Sequence, residues 1–177
     1  MLNVKTKDNN IMKNDSLSEL YHNDYYTWAM TNAELLKEGR LNDVDYINLA
    51  EEVKDLGKSE YYKLESYFAN LLSHLYKWDN QPELRSKSWK VTIAVSIRSI
   101  KRTLEDNPGL KNDQVFNKAY IAAWDEALGI LAKDIKDDDI IDLIPDEYPY
   151  SFKEAIRKAS GITEIQGKDV IFLENIS

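Results

Sequence analysis

Four residues carry the acid–base chemistry most available to this chain. Glu51 and Glu52 are its only adjacent pair of glutamates, and His74 and Lys77 stand three residues apart. That last spacing places an imidazole and an ammonium on one helical face. A histidine with carboxylates suits a general base or a metal ligand set. No Glu-x-x-His or His-x-x-x-His spacing accompanies them, so the pattern by itself specifies no metal, and none is expected. The alternative is structural: a hydrogen-bonded histidine near the core, with Glu51 and Glu52 as salt-bridging surface residues.

The second chemistry is electrostatic. Between residues 84 and 104 stand Arg85, Lys87, Lys90, Arg98, Lys101 and Arg102, with no acid among them. Residues 134–147 hold seven acids against one lysine. At 100° per residue, Lys87, Lys90, Arg98, Lys101 and Arg102 cluster opposite an apolar side made by Trp89, Ile93, Ile97, Ile100 and Leu104. Such a face can dock an acidic protein, bind nucleic acid or phosphate, or be solvated and paired with acids such as Asp137–Asp139. The whole chain is acidic, with a net charge of -8. Nucleic acid would need many phosphate contacts to offset that charge. No helix-turn-helix spacing and no glycine-rich phosphate loop supports it.

Helices must position both groups. Six glycines and four prolines in 177 residues leave few breakers. Apolar spacing predicts helices near 24–38, 43–78, 84–105 and 112–136, with a short one near 152–159. Asn23 or Asp24, Asn42 or Asp43, and Ser151 are the caps; Gly39 and Gly161 are the stops. The fourth helix carries Val115, Ala119, Ala122, Ala123, Glu126, Ile130 and Ala132. A short turn is expected near 138–143, and VIFLEN near the end reads as an extended tail or a short strand. The architecture is therefore all-α: a bundle of about five helices with long antiparallel members. Residues 1–20 read as a flexible extension, 21–160 as the helical domain and 161–177 as a tail.

Gly57 decides the geometry of the acid–base group. If 43–78 is one helix, Glu51 and His74 are separated by about 34 Å and could meet only across an antiparallel dimer. Such a helix would outreach a compact chain of this size, and its stripe of Leu49, Val53, Leu56, Leu64, Phe68 and Leu71 would need a homodimer partner to cover it. If Gly57 reverses the chain, the residues could meet within one subunit.

The stretch LLSHLYKWDNQPELRSKSWK, residues 71–90, joins two helices. Pro82 restricts Gln81 to extended backbone. Trp28, Trp78, Trp89 and Trp124 all lie on apolar stripes and read as core, and Trp78 and Trp89 are expected to be mostly buried at the corner. A buried indole needs an acceptor for its N–H.

There is no cysteine, which rules out thiol chemistry and disulfides and suits a reducing compartment. No membrane span and no signal-peptide core are visible, and we expect a soluble, cytoplasmic protein.

Several motifs in fixed order now bear on identity. They are Asp24-Tyr25-Tyr26-Thr27-Trp28, Glu34-Leu35-Leu36, Gly39-Arg40, Asp45, Asn48-Leu49-Ala50-Glu51-Glu52-Val53 and Leu56-Gly57-Lys58-Ser59-Glu60. His74-Leu75, Lys77-Trp78, Pro82-Glu83, Ser88-Trp89 and Tyr148-Pro149-Tyr150-Ser151 complete them. Together, over about 21–157, they resemble the bacterial all-helical domain-of-unknown-function family 29. HLYKW stands where that family usually has HLLKW. The resemblance implies an all-α fold and brings no activity or cofactor. The reading is a helical interaction or regulatory module whose protein partner is unknown, an acidic protein being one candidate. The alternatives are an enzyme or metal protein built on Glu51, Glu52, His74 and Lys77, and a nucleic-acid factor built on the basic helix.

Overall fold

The computed structural model describes residues 17–136, 144–164 and 168–176. Helix α1 covers 17–23, α2 Tyr25–Lys37, α3 Tyr46–Asn80, α4 Lys87–Asp106, α5 Asp113–Asp134, α6 Phe152–Thr163 and α7 Lys168–Glu174. The fold is all-α, and no strand occurs among the described residues. Two compact units, Met1–Lys58 and Ser59–Ser177, divide the chain within α3.

Local chemistry accounts for most helix ends. The Asp24 carboxylate accepts from the Thr27 N–H, Ser86 from Trp89, and Asn112 from Gln114 and Val115. Each satisfies donors that a helix start leaves unpaired. Ser151 and Glu154 form a reciprocal capping box. Gly39 adopts φ +70°. Its N–H donates to Leu36 and that of Arg40 to Leu35, the paired bonds of a left-handed glycine stop.

In the first unit Leu17, Trp28, Leu35 and Val44 form a small core. Residues 17–20, read from sequence within a flexible extension, are helical, and Leu17 is buried. Residues 1–16 lie outside the described part of the chain.

α3 runs unbroken through Gly57, where a Cβ would meet nothing within 4 Å. The long-helix alternative is therefore the observed one. A 3₁₀ turn, Leu41–Asp43, precedes it, so the helix starts three residues later than expected. Leu64, Phe68, Leu71 and Leu75 on its later turns are fully buried. Val53 and Leu56 on its earlier turns are 61% and 70% exposed.

In the second unit these later residues meet Ile93, Ile97, Ile100 and Leu104 of α4, and Phe116, Tyr120, Trp124 and Leu131 of α5, in one core. Burying each such side chain contributes about 1.5–3 kcal/mol. Phe68 sits edge-on to Phe116, Tyr120 and Phe152. The α5 stripe differs from its sequence reading: Phe116, Tyr120, Ala127 and Leu131 face the core, whereas Glu126 and Ala132 are exposed. The alanine-rich sequence admits two neighbouring phases, and the bulky aromatics decide between them.

Two further corrections concern the C-terminal part. Gly161 does not end α6, which continues to Thr163 and closes at Glu164 in the left-handed region. Interior glycine costs about 1 kcal/mol, and the added turn packs Ile162 on the core. The segment read as a tail or strand is helical in α7, with Leu173 fully buried. The expected turn near 138–143 lies largely outside the described residues.

Candidate interaction surface and the polar residues around it

The corner between α3 and α4 is built from its aromatic and basic residues. Pro82 opens a 3₁₀ turn, Pro82–Leu84, and the Ser86 cap starts α4 at Lys87. Arg85 Nε donates to the Trp78 carbonyl at 2.8 Å, and its guanidinium lies 5.1 Å from the centre of the Trp78 ring. Lys90 Nζ lies over the same ring at 5.6 Å. Lys77 Nζ lies 5.2 Å from the Trp89 ring centre. Trp78 and Trp89 are partly buried, with well under half of each exposed, as their stripe suggested. Each leaves its π-face to a cation, which suits the ring's electrostatics better than an apolar neighbour.

Past the corner, α4 presents Lys87, Lys90 and Arg98 around a cavity of about 360 Å³. Val91 and Ala94 of α4 and Ile162 and Thr163 of α6 line it, with Glu164 as its one acid. Among the described residues Lys87, Arg98 and Arg102 have no ion pair or hydrogen bond through their side chains, and all three are exposed. Lys101, read from sequence as part of this exposed face, is half-buried. It pairs with Glu105 at 3.1 Å and lies over the Phe172 ring. A pairing of the basic face with Asp137–Asp139 falls on residues outside the described set.

Glu51 and Glu52 belong to the first unit, His74 and Lys77 to the second. Glu51 is exposed and pairs with Lys54 at 3.2 Å. Glu52 accepts from the Tyr21 and Tyr25 hydroxyls at 2.7 and 2.8 Å. The first of these bonds pushes the Tyr21 phenol up to about 12, with burial and then the Glu52 charge adding to the effect. His74 belongs to the second unit, where its Nδ1 is 2.9 Å from the Asn70 carbonyl and so acts as the donor. Burial, and next the charge of Lys77, holds the imidazole below its ordinary pKa. Lys77, placed by sequence as an electrostatic helper, is buried and bonded to Asp134. Among the described residues no group of three or more His, Asp or Glu could hold a metal ion.

Other polar residues prove structural in ways the sequence reading missed. In the first unit Asp45 is buried and accepts from Trp28 Nε1 at 3.0 Å and from Asn48 Nδ2 at 2.7 Å. Its own N–H donates to Asn32. In the second unit the Tyr150 hydroxyl and Lys158 both reach Asp79. The Trp124 Nε1 donates to the Pro145 carbonyl. Asp45, Asn48, Trp28 and Tyr150 all stand in the quoted motifs, which was the available signal. Asp134 and Asp79 carried none.

No helix among the described residues is long and apolar enough to cross a membrane. No curated protein and no solved structure matches the chain. A family model does match, over residues 20–159, a span that contains every one of the quoted motifs. The chain therefore belongs to the family described as Domain of unknown function DUF29.

Proposed function

We propose that this protein is a helical interaction module that docks an acidic protein partner on the basic side of α4. The observation that carries the reading is the open groove at which Lys87, Lys90 and Arg98 converge over Val91 and Ala94. Cations without acidic partners repel one another, and a carboxylate-rich surface relieves that repulsion while steering the encounter. Arg102 extends the basic side beyond the groove, whereas Lys101 contributes packing. The enzyme or metal alternative requires Glu51 or Glu52 to work with His74, and each is engaged within its own unit. Nucleic acid fits less well, because the groove floor is aliphatic and offers no ring for base stacking.

The test is binding of poly-glutamate to the full chain, followed by fluorescence anisotropy across a salt series. Binding that weakens with salt, and is lost in Lys87→Glu/Arg98→Glu, supports the reading. Binding unaffected by that double reversal, or a clear preference for single- or double-stranded nucleic acid, overturns it.

Within this reading the protein works in the bacterial cytoplasm as a homodimer. The support for self-association is the early part of α3, where Tyr46, Ile47, Val53 and Leu56 are all exposed. At 100° per residue Tyr46, Val53 and Leu56 fall within about 80° of one another, and an apolar stripe left exposed on one side of a helix marks an association site. Sedimentation equilibrium at micromolar concentration should show twice the 20.5 kDa chain mass. Val53→Glu/Leu56→Glu should return it to the monomer.

A further inference from the structure

We propose that the groove between α4 and α6 recognises a specific pattern: one aliphatic side chain inserted between two acidic positions. This inference rests on the acidic-partner reading and names what that partner must present. Two features of the groove carry it.

The first is its mixed lining. Val91 is exposed at the floor, and Ala94 and Ile162 flank it, half-buried. An aliphatic floor gains nothing from a purely polar ligand but gains the burial of one apolar side chain. A volume of about 360 Å³ lies at the small end of ligand pockets, which suits a side chain better than a large cofactor.

The second feature is the placing of charge along α4. Lys87 and Lys90 stand at the start of the helix and Arg98 two to three turns later. At 1.5 Å per residue the span from Lys87 to Arg98 is about 16 Å, and that from Lys90 about 12 Å. The cations thus bracket the aliphatic floor. A carboxylate at either end of the groove meets a cation, and the residue between them meets Val91. Lys90 is held by the Trp78 ring, so one of these cations is ordered before any partner arrives. Glu164, the single acid of the lining, opposes the incoming charge.

Two synthetic probe peptides of equal length and charge test this against the full-length protein. One alternates glutamate with leucine, the other glutamate with serine. Titration calorimetry at low salt should show the leucine peptide binding about tenfold or more tightly, the scale set by burying one aliphatic side chain. Val91→Asp should remove most of that advantage, whereas Arg98→Glu should weaken the binding of both peptides. Val95→Asp, on an exposed residue outside the lining, should not. Glu164→Gln should tighten binding of both peptides. Equal affinity for the two peptides, or a Val91→Asp variant that discriminates as before, overturns the aliphatic anchor and leaves the acidic-partner reading standing. Failure of both peptides to bind overturns both. All the substituted residues except Glu164 lie on α4 and are exposed, so circular dichroism of each variant should match the parent.

Discussion

Lys77 and Asp134 form an ion pair that is closed to water at one end only. The lysine side chain is 4% exposed, and the aspartate is 46% exposed. They stand 57 residues apart in sequence, and the Trp89 ring lies against the same ammonium. Three elements, α3, α4 and α5, are thus tied at one buried cation.

The asymmetry makes the two halves of the pair unequal. Asp134→Asn leaves a buried ammonium with weaker compensation and should cost about 2 kcal/mol. Lys77→Met keeps most of the packing volume and leaves a carboxylate that water can solvate, so it should cost less than about 1 kcal/mol. Urea midpoints of the two variants measure the difference. Equal losses would mean that the ammonium is hydrated and the seal is not real.

His74 sets a pH dependence. Its folded pKa is depressed by burial and by Lys77, with the Asn70 carbonyl and Asp134 pulling the other way. The unfolded chain therefore takes up a proton at higher pH than the folded one. Stability should be fully present above the unfolded value of about 6.5 and should fall as pH drops below it. Urea unfolding between pH 7.5 and 5 should show this slope, and His74→Gln should flatten it.

The tryptophans separate into two classes. Trp28 is fully buried with its Nε1 on Asp45. Trp28→Phe removes a donor from a buried carboxylate and should cost about 1–3 kcal/mol. Trp78 is partly buried and faces Arg85 and Lys90. Trp78→Phe keeps an aromatic face for both cations and should cost less than about 1 kcal/mol. Guanidinium titrations compare the two directly.

Tyr21 should ionise late. Its hydroxyl donates to Glu52, and ionising it would set a phenolate against a carboxylate. A folded pKa of about 12, against the ordinary value of 10, contributes stability that is present below pH 10 and lost as pH rises toward 12. Absorbance at tyrosinate wavelengths, compared between the parent and Glu52→Gln, should show one or two tyrosines shifting to lower pH in the variant.

Much of this molecule was determined within short stretches of its sequence. Asp24, Ser86, Asn112 and Ser151 cap helices because a side-chain oxygen and the orphan N–H it meets lie within three residues of each other. Gly39 ends α2 by the left-handed backbone that it alone adopts without strain. The periodic stripe through Gly57 correctly described one long helix, since a single glycine costs less than breaking a register kept on both sides. What required partners far along the chain was decided only by tertiary structure. Lys77 stood as a candidate beside His74 until Asp134 supplied its counter-charge. Lys101 counted as one more exposed cation until Glu105 and Phe172 drew it into the packing. The end of α6 and the helix α7 depended on apolar surface that Ile162 and Leu173 find in the core. The groove itself joins α4 to a turn of α6 that Gly161 seemed to forbid. Caps and stops act through neighbours a few residues away. Burial and charge pairing depend on which distant elements pack together, and no local pattern carries that information.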